Sequence, residues 1–295
     1  MHAKYHGPNA TVIHGSSPGA LDEVPDATVD LIFADPPYNI GKRFANFVDR
    51  WSSDGEYIKW CEEWLMACVR KLKDHGAFYV MSSTQCMPYI DLFLRDKVHV
   101  LSRIVWHYDS SGVQAKNKFG SMYEPILFCV KDQNRYTFNS EAISVEAKTG
   151  AKRLLIDYRK PTPAQYNTSK TPGNVWYFPR VRYRMAEYEE HPSQKPEALL
   201  ERIIKVSSNV GDTVLDPFAG TFTTNAVAKR LGRQSIGVER ELQYVKIGLR
   251  RLGIRSELHG EALRGPEKTY VRRNGKHAVR RAAEAQRDFF EDAGE

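Results

Sequence analysis

Residues 214–224 read Val214-Leu215-Asp216-Pro217-Phe218-Ala219-Gly220-Thr221-Phe222-Thr223-Thr224. An apolar strand, Thr213–Leu215, runs into a turn of small residues, and the helical pattern of Thr223–Leu231 follows. Gly220 lets the backbone approach a ligand closely. The next strand, Ser235–Val238, ends at Glu239, an acid 19 residues beyond Gly220. A carboxylate that binds a ribose in a strand–turn–helix–strand unit is expected at a separation of about 20 residues. The turn lacks the Gly-x-Gly-x-x-Gly that brings a backbone up to a pyrophosphate. It also lacks the Gly-Lys-Ser/Thr of a phosphate loop, since Lys229 comes too late. The pattern therefore selects a nucleoside-like ligand without a pyrophosphate.

A second strand end carries chemistry of another kind. Val29–Ala34 is a continuous apolar run broken only by Asp30, and it stops at Asp35-Pro36-Pro37-Tyr38-Asn39. Open α/β sheets bind ligands at the carboxyl ends of such strands. The prolines fix two φ angles and remove two backbone donors. What remains is a rigid set of acceptors beside a carboxylate and an aromatic ring. Asp35 can accept one N–H of a planar amine, and the Pro36 carbonyl the other. Tyr38 can stack on the ring that bears the amine. The plain structural alternative is a proline-terminated strand with Asp35 capping a turn. An amine acceptor paired with a nucleoside site suits S-adenosylmethionine, an adenosine with a short amino-acid arm and a sulfonium.

Outward from these two points, short β-rich runs alternate with helical patterns, which predicts an α/β fold. Strands are expected at Ala10–His14, Ala77–Met81, Ser102–Trp106 and Pro125–Val130. Helices are expected at Glu56–Lys73, Met87–Arg95, Glu197–Ser207 and Leu242–Leu252, with Pro196 at the start of the third. The stripe Ile58, Cys61, Trp64, Leu65, Cys68 and Leu72 reads as core. The four cysteines, Cys61, Cys68, Cys86 and Cys129, form no Cys-x-x-Cys pair and have no His at ligand spacing. Buried thiols are expected rather than zinc or disulfides, and no metal is expected. No stretch approaches the roughly 20 apolar residues of a membrane helix. Met1–Ala10 has no apolar core of a secretory signal, so a cytoplasmic protein is expected.

The 295 residues carry a formal net charge of +7, which alone says little about partners. Its location says more. From Lys148 to Arg184, nine basic residues face the single acid Asp157, a local net +8. They include Lys152, Arg153, Arg159, Lys160, Lys170, Arg180, Arg182 and Arg184. Tyr158, Tyr166, Trp176, Tyr177, Phe178 and Tyr183 are interleaved with them. Basic side chains neutralise phosphates and aromatics stack on bases, so this window is the expected DNA-contacting segment. The alternative is a solvated loop with aromatics packed beneath it. If residues 180–184 form a strand, their three arginines share one face. A second basic run, Arg264–Arg281, precedes an acidic end, and the two read as a flexible tail over 261–295.

These residues resemble a family: the beta-class DNA amino-methyltransferases, which methylate N6 of adenine or N4 of cytosine from S-adenosylmethionine. Asp35-Pro36-Pro37-Tyr38 matches the family's catalytic motif, and Asp216-Pro217-Phe218-Ala219-Gly220 its cofactor motif. His191-Pro192-Ser193-Gln194-Lys195-Pro196 resembles the segment that helps hold the methionine end. Catalytic motif first, cofactor motif second, with the basic window between, is the beta-class order. Over Thr11–Leu252, including Ser102–Trp106 and Ser121–Leu127, the chain is most similar to YhdJ-type adenine methyltransferases. The resemblance implies a Rossmann-like, mixed but mostly parallel sheet over residues 1–260, with a target-recognition insert at about 133–190. It implies a cofactor site of Asp216, Phe218, Ala219, Gly220, Thr221, Thr223, Glu239, His191, Ser193 and Lys195. His14-Gly15-Ser16 departs from the family's His-Gly-Asp, which leaves the adenine contact to serine or to another group.

The implied reaction is direct in-line transfer to a base flipped out of double-stranded DNA. His107, Tyr108 and Asp109 follow a strand near the flipped base. The aspartate of Asp35-Pro36-Pro37-Tyr38 favours adenine, because cytosine-N4 enzymes more often begin with serine. Cytosine-N4 methylation is the nearest alternative. A nicotinamide-dependent dehydrogenase and a DNA-binding protein without catalysis are the others. Beta-class relatives are often dimers. With no nuclease motif in the chain, any restriction endonuclease is a separate protein.

Overall fold

In the computed structural model, described over residues 2–109, 116–117, 119–147, 155–254, 257–258 and 261–262, two carboxylate-bearing strands lie side by side. Nine strands form one sheet: β1 Ala3–Gly7, β2 Ala10–His14, β3 Val29–Ala34, β4 Leu72–Met81 and β5 His99–His107, then β6 Tyr123–Val130, β7 Val175–Tyr177, β8 Thr213–Asp216 and β9 Gln234–Glu239. Their order across the sheet is β1-β2-β9-β8-β3-β4-β6-β5-β7. The pairs β2·β9, β9·β8, β8·β3, β3·β4 and β5·β7 are parallel. β1·β2, β4·β6 and β5·β6 are antiparallel. The sheet is therefore mixed and mostly parallel, as the sequence implied. From β3 the chain moves outward one way to β4, and from β8 it moves the other way to β9. The switch point falls between β3 and β8, where Leu215 pairs with Ile32. The ends bearing Asp35 and Asp216 are thus neighbours.

Among the described residues, five α-helices cover the sheet: α1 Asp54–Lys71, α2 Met87–Leu94, α3 Glu197–Ser207, α4 Thr223–Arg230 and α5 Leu242–Arg251. β3 alternates its two buried faces. Ile32 and Ala34 pack with α1 and α2, while Leu31 and Phe33 pack with α3 and α4. α1 begins where the Ser53 hydroxyl accepts the Glu56 N–H at 3.2 Å. Its Cys61, Trp64, Leu65 and Cys68 are fully buried, and the four thiols are free and buried. The expected core stripe is present, although Ile58 is only partly buried.

Sequence boundaries were short for the long strands. β5 runs from His99 to His107 rather than over Ser102–Trp106, and β4 begins at Leu72. β1 was not foreseen: AKYHG has no apolar period, and only its pairing with β2 makes it a strand. β7 was not foreseen either. It takes three residues of the expected recognition insert into the main sheet beside β5. The rest of that insert, where described, holds two-residue ribbons pairing 145–146 with 169–170 and 156–157 with 164–165. Lys152 and Arg153, and the tail beyond residue 262, lie outside the described residues. Among the described residues, no helix is long and apolar enough to cross a membrane, and no cluster of His, Cys, Asp or Glu suits a metal.

Candidate active site

The carboxyl ends of β2, β9, β8 and β3 open onto a cavity of about 350 Å³, within the range of small-molecule sites. Every residue expected at the cofactor lines it: Asp216, Phe218, Ala219, Gly220, Thr221, Thr223, Glu239, His191, Ser193 and Lys195. Gly15, Ser16 and Ser17 line it too, so the serine that departs from the family pattern faces the site.

The turn after β8 is held by its own acids. Asp216 accepts the Phe218 N–H at 3.0 Å and the Thr224 hydroxyl at 2.5 Å. Burial pushes its carboxyl up to about 7. Glu239 accepts the Gly220 N–H at 2.8 Å and the Glu241 N–H at 2.7 Å, and burial likewise pushes it up to about 7. Each acid thus braces the loop while still facing the cavity. Behind the turn lies Arg251, which the sequence reading missed. Its buried guanidinium donates to the Thr221 carbonyl at 2.8 Å and Thr223 Oγ1 at 3.0 Å, and pairs with Glu197 at 2.8 Å.

Gly220 sits at φ +50°, and an added Cβ would lie 3.1 Å from His191 Nε2. Only glycine lets the imidazole close on the turn. His191 accepts the Ser193 N–H at Nδ1 and packs edge-on against Tyr244 at 4.5 Å. Burial, with help from Lys195, lowers its pKa to about 3, so the ring is neutral. His191 does not cap α3. The Glu197 N–H donates instead to Glu187 Oε2 at 2.7 Å. Trp51, Trp60, Phe44, Phe47 and Tyr244 complete an aromatic wall with Phe218, which meets Trp60 at 5.8 Å and Trp64 at 5.1 Å. Of these, sequence reading found only Phe218, because the others are distant in the chain and carry no motif.

The first cavity shares a wall with a second, of about 250 Å³. Asp35, Pro36, Pro37, Phe44, Ser193, Gln194 and Lys195 line both. The second is completed by Tyr38, Lys42, Trp106, Tyr108, Tyr123, Glu124 and Arg180, among others. Two anchors fix the proline turn: the Tyr57 hydroxyl donates to the Pro37 carbonyl at 2.9 Å, and the Tyr38 N–H donates to Asp49 Oδ2 at 3.2 Å. Asp49 is fully buried and also accepts the Lys42 N–H.

Lys195 stands at the shared wall rather than in the first cavity alone. Its Nζ lies 2.5 Å from Asp35 Oδ2 and 3.5 Å from Glu124 Oε2. The Tyr38 hydroxyl reaches Asp35 Oδ1 at 2.7 Å and Glu124 Oε2 at 3.0 Å. Glu124, which no motif marks in the sequence, also lines this cavity. Tyr108 is buried in the cavity wall, whereas His107 closes β5 and the Asp109 carbonyl accepts from Arg182 at 3.2 Å.

The basic window divides. Arg180 reaches the second cavity and lies over the Tyr108 ring at 4.9 Å. Arg182 and Arg184 are exposed. They do not alternate on a strand face: β7 ends at Tyr177, and Arg184 adopts φ +74°. Lys170 is exposed, Lys160 donates to the Gln165 carbonyl at 2.9 Å, and Arg159 pairs with Asp157 at 2.9 Å. Trp176 and Phe178 are buried beneath the guanidinium of Arg202, so these two aromatics serve the core and not base stacking.

A cavity at the strand ends of a mostly parallel sheet, with the Asp35-Pro36-Pro37-Tyr38 turn on its wall, is the arrangement of an S-adenosylmethionine-dependent methyltransferase. The sequence profile of the family described as DNA methylase matches residues 29–250, and the chain belongs to that family. It is 59% identical over 253 residues to the DNA adenine methyltransferase YhdJ of Escherichia coli (strain K12), covering 86% of each chain. It is 35% identical to the type II methyltransferase M.HpaI of Haemophilus parainfluenzae, over 82% of this chain and 73% of the relative. Its fold is similar to that of M1.HpyAVI in complex with SAM, with a TM-score of 0.57 at 23% identity over 83% and 100% of the two chains. It also resembles the cytosine-N4-specific PvuII DNA methyltransferase, with a TM-score of 0.65 at 15% identity over 96% and 95%.

Proposed function

We propose that this DNA methylase transfers a methyl group from S-adenosylmethionine to N6 of adenine in double-stranded DNA, with Asp35-Pro36-Pro37-Tyr38 as the catalytic turn. The observation that carries the reading is the wall shared by the two cavities: Asp35, Pro36 and Pro37 face both. The methyl donor belongs in the first cavity, where Glu239 faces the ribose, the aromatic wall faces the adenine, and Gly220 and His191 close the turn. Bound there, it supplies a methyl group on a sulfonium leaving group.

The target base belongs in the second cavity. Adenine's amine is a poor nucleophile because its lone pair is delocalised into the ring. Asp35 and the Pro36 carbonyl, accepting its two N–H bonds, favour the tetrahedral, positively charged nitrogen of the transition state over the planar ground state. Rigid prolines, with Tyr57 and Asp49 behind them, hold the acceptors in place, which supplies proximity and orientation. The methylated nitrogen sheds its surplus proton along its hydrogen bond to Asp35 and on to solvent, so neither Lys195 nor His191 has to move one. Flipping the base costs a few kcal/mol, which phosphate contacts from Arg180, Arg182, Arg184, Lys170 and Lys160 offset. The same reading places the enzyme in the cytoplasm, alone or as a homodimer, with any restriction endonuclease on a separate chain.

Mass spectrometry of DNA from cells expressing the protein tests the assignment. N6-methyladenine is the expected product, and N4-methylcytosine as sole product would overturn it. Methylation-sensitive sequencing of the same DNA reads out the recognition site.

A further inference from the structure

Two carboxylates face one buried ammonium at the wall between the cavities. Lys195, 7% exposed, contacts Asp35 at 2.5 Å and Glu124 at 3.5 Å, and the Tyr38 hydroxyl spans the same two acids. Glu124 arrives from β6, the aspartate from the end of β3, and Lys195 from the segment before α3. A lysine buried against Asp35 alone would turn that acid into half of a neutral pair. Such a pair is a weaker acceptor for an amine that becomes cationic as it is alkylated. Glu124 changes the balance, because the three charged groups then sum to one negative charge.

We propose that Glu124 is a positioning residue for methyl transfer: it offsets the charge of Lys195 and so keeps the Lys195–Asp35–Glu124 cluster that faces the target amine net anionic. The proposal rests on the reading that Asp35 holds that amine. Glu124 faces Lys195, Tyr38 and Asp35, and Tyr108 from the end of β5. The cations Arg180 and Lys42 line the same cavity, with Arg180 over the Tyr108 ring. Burial pulls Lys195 down, but Asp35 and Glu124 outweigh it and hold its pKa above the ordinary value. Burial pushes Asp35 up, Lys195 offsets part of that, and Glu124 pushes it further.

Glu124→Gln tests this in single-turnover methylation with parallel measurements of cofactor and duplex binding. The rate falls at least about tenfold while both affinities stay within about threefold. The acid limb of the rate moves to lower pH, because Asp35 loses the upward push of Glu124. In the ligand-free protein, a 13C NMR titration of the lysine side chains shows the pKa of Lys195 lowered. Glu124→Asp keeps the charge and stays within about threefold of the parent. A glutamine variant that matches the parent rate, an unmoved acid limb and Lys195 titration, or an aspartate variant as slow as the glutamine one each overturns the proposal. So does a glutamine variant that no longer folds, since the role is electrostatic. Asp35→Ala separately tests the underlying reading: if that variant stays active, Asp35 does not hold the amine, whatever Glu124 does.

Discussion

Asp35 is partly buried, at the meeting of two cavities, and its surroundings decide what its removal does. Asp35→Ala takes away the proposed acceptor of the amine and the partner of Lys195, and leaves Arg182 and Arg184 on the surface. Methyl transfer is expected to fall by about 10²-fold or more, with duplex affinity within about threefold, read by methyl incorporation and gel-shift titration. Glu239 carries a pH signature. Its folded pKa of about 7 lies above the ordinary carboxyl value of 4.5, so the folded state holds a proton that the unfolded chain releases. Its contribution to stability is full below the unfolded value and is lost as pH rises through about 7; Asp216 acts in the same direction. The urea midpoint of the ligand-free protein is expected to fall between about pH 5 and pH 8, and Glu239→Gln to flatten the curve. The same variant should weaken S-adenosylmethionine by about 1.5–3 kcal/mol in isothermal titration, through loss of a charged acceptor.

Among the elements, α4 and α5 show how the cofactor turn is held. Phe222 adopts φ +59°, a left-handed conformation for a bulky residue, and its ring is fully buried. Space for it exists because Gly237 on β9 and Gly248 on α5 have no side chains. An added Cβ would stand 2.6 Å and 2.2 Å from the ring. Gly248→Ala is therefore expected to cost about 1–3 kcal/mol in urea unfolding, and more if the turn must shift. Helix propensity argues the other way, since alanine favours a helix over glycine by about 1 kcal/mol. A measured stabilisation would show that Phe222 can move. The sequence marked Gly220 as special and was silent on Gly248, because nothing along a helix shows which ring lies across from it.

For the whole molecule, the +7 charge resolves into surface and core. Arg182 and Arg184 are exposed, while Arg202 caps buried Trp176 and Phe178, and burial lowers its pKa to about 10. Replacing Arg182 or Arg184 with alanine should weaken duplex binding and lower the log–log salt slope by about 0.9 each. Arg202→Ala should leave that slope unchanged and lower the melting temperature. Equal salt slopes for all three variants would mean that the segment after β7 does not track the phosphates.

Local patterns carried much of the architecture. The buried strands, the helices, the Asp-Pro-Pro-Tyr turn and the Gly220 turn were legible because their reasons lie within a few residues, in periodicity, fixed φ angles and a permissive glycine, and Glu239 because one strand–turn–helix–strand unit sets its spacing from Gly220. The ten residues that the motifs and the family resemblance assign to the cofactor all line one cavity. Only tertiary structure decided the partners of those residues. It brought Glu124 to Tyr38 across 86 positions, set Lys195 against Asp35, and braced the turn with Arg251. It also drew Trp176 and Phe178 from the basic window into the core. Side chains far apart in the chain meet only because the sheet order β9-β8-β3-β4 differs from chain order, and no local pattern encodes that rearrangement.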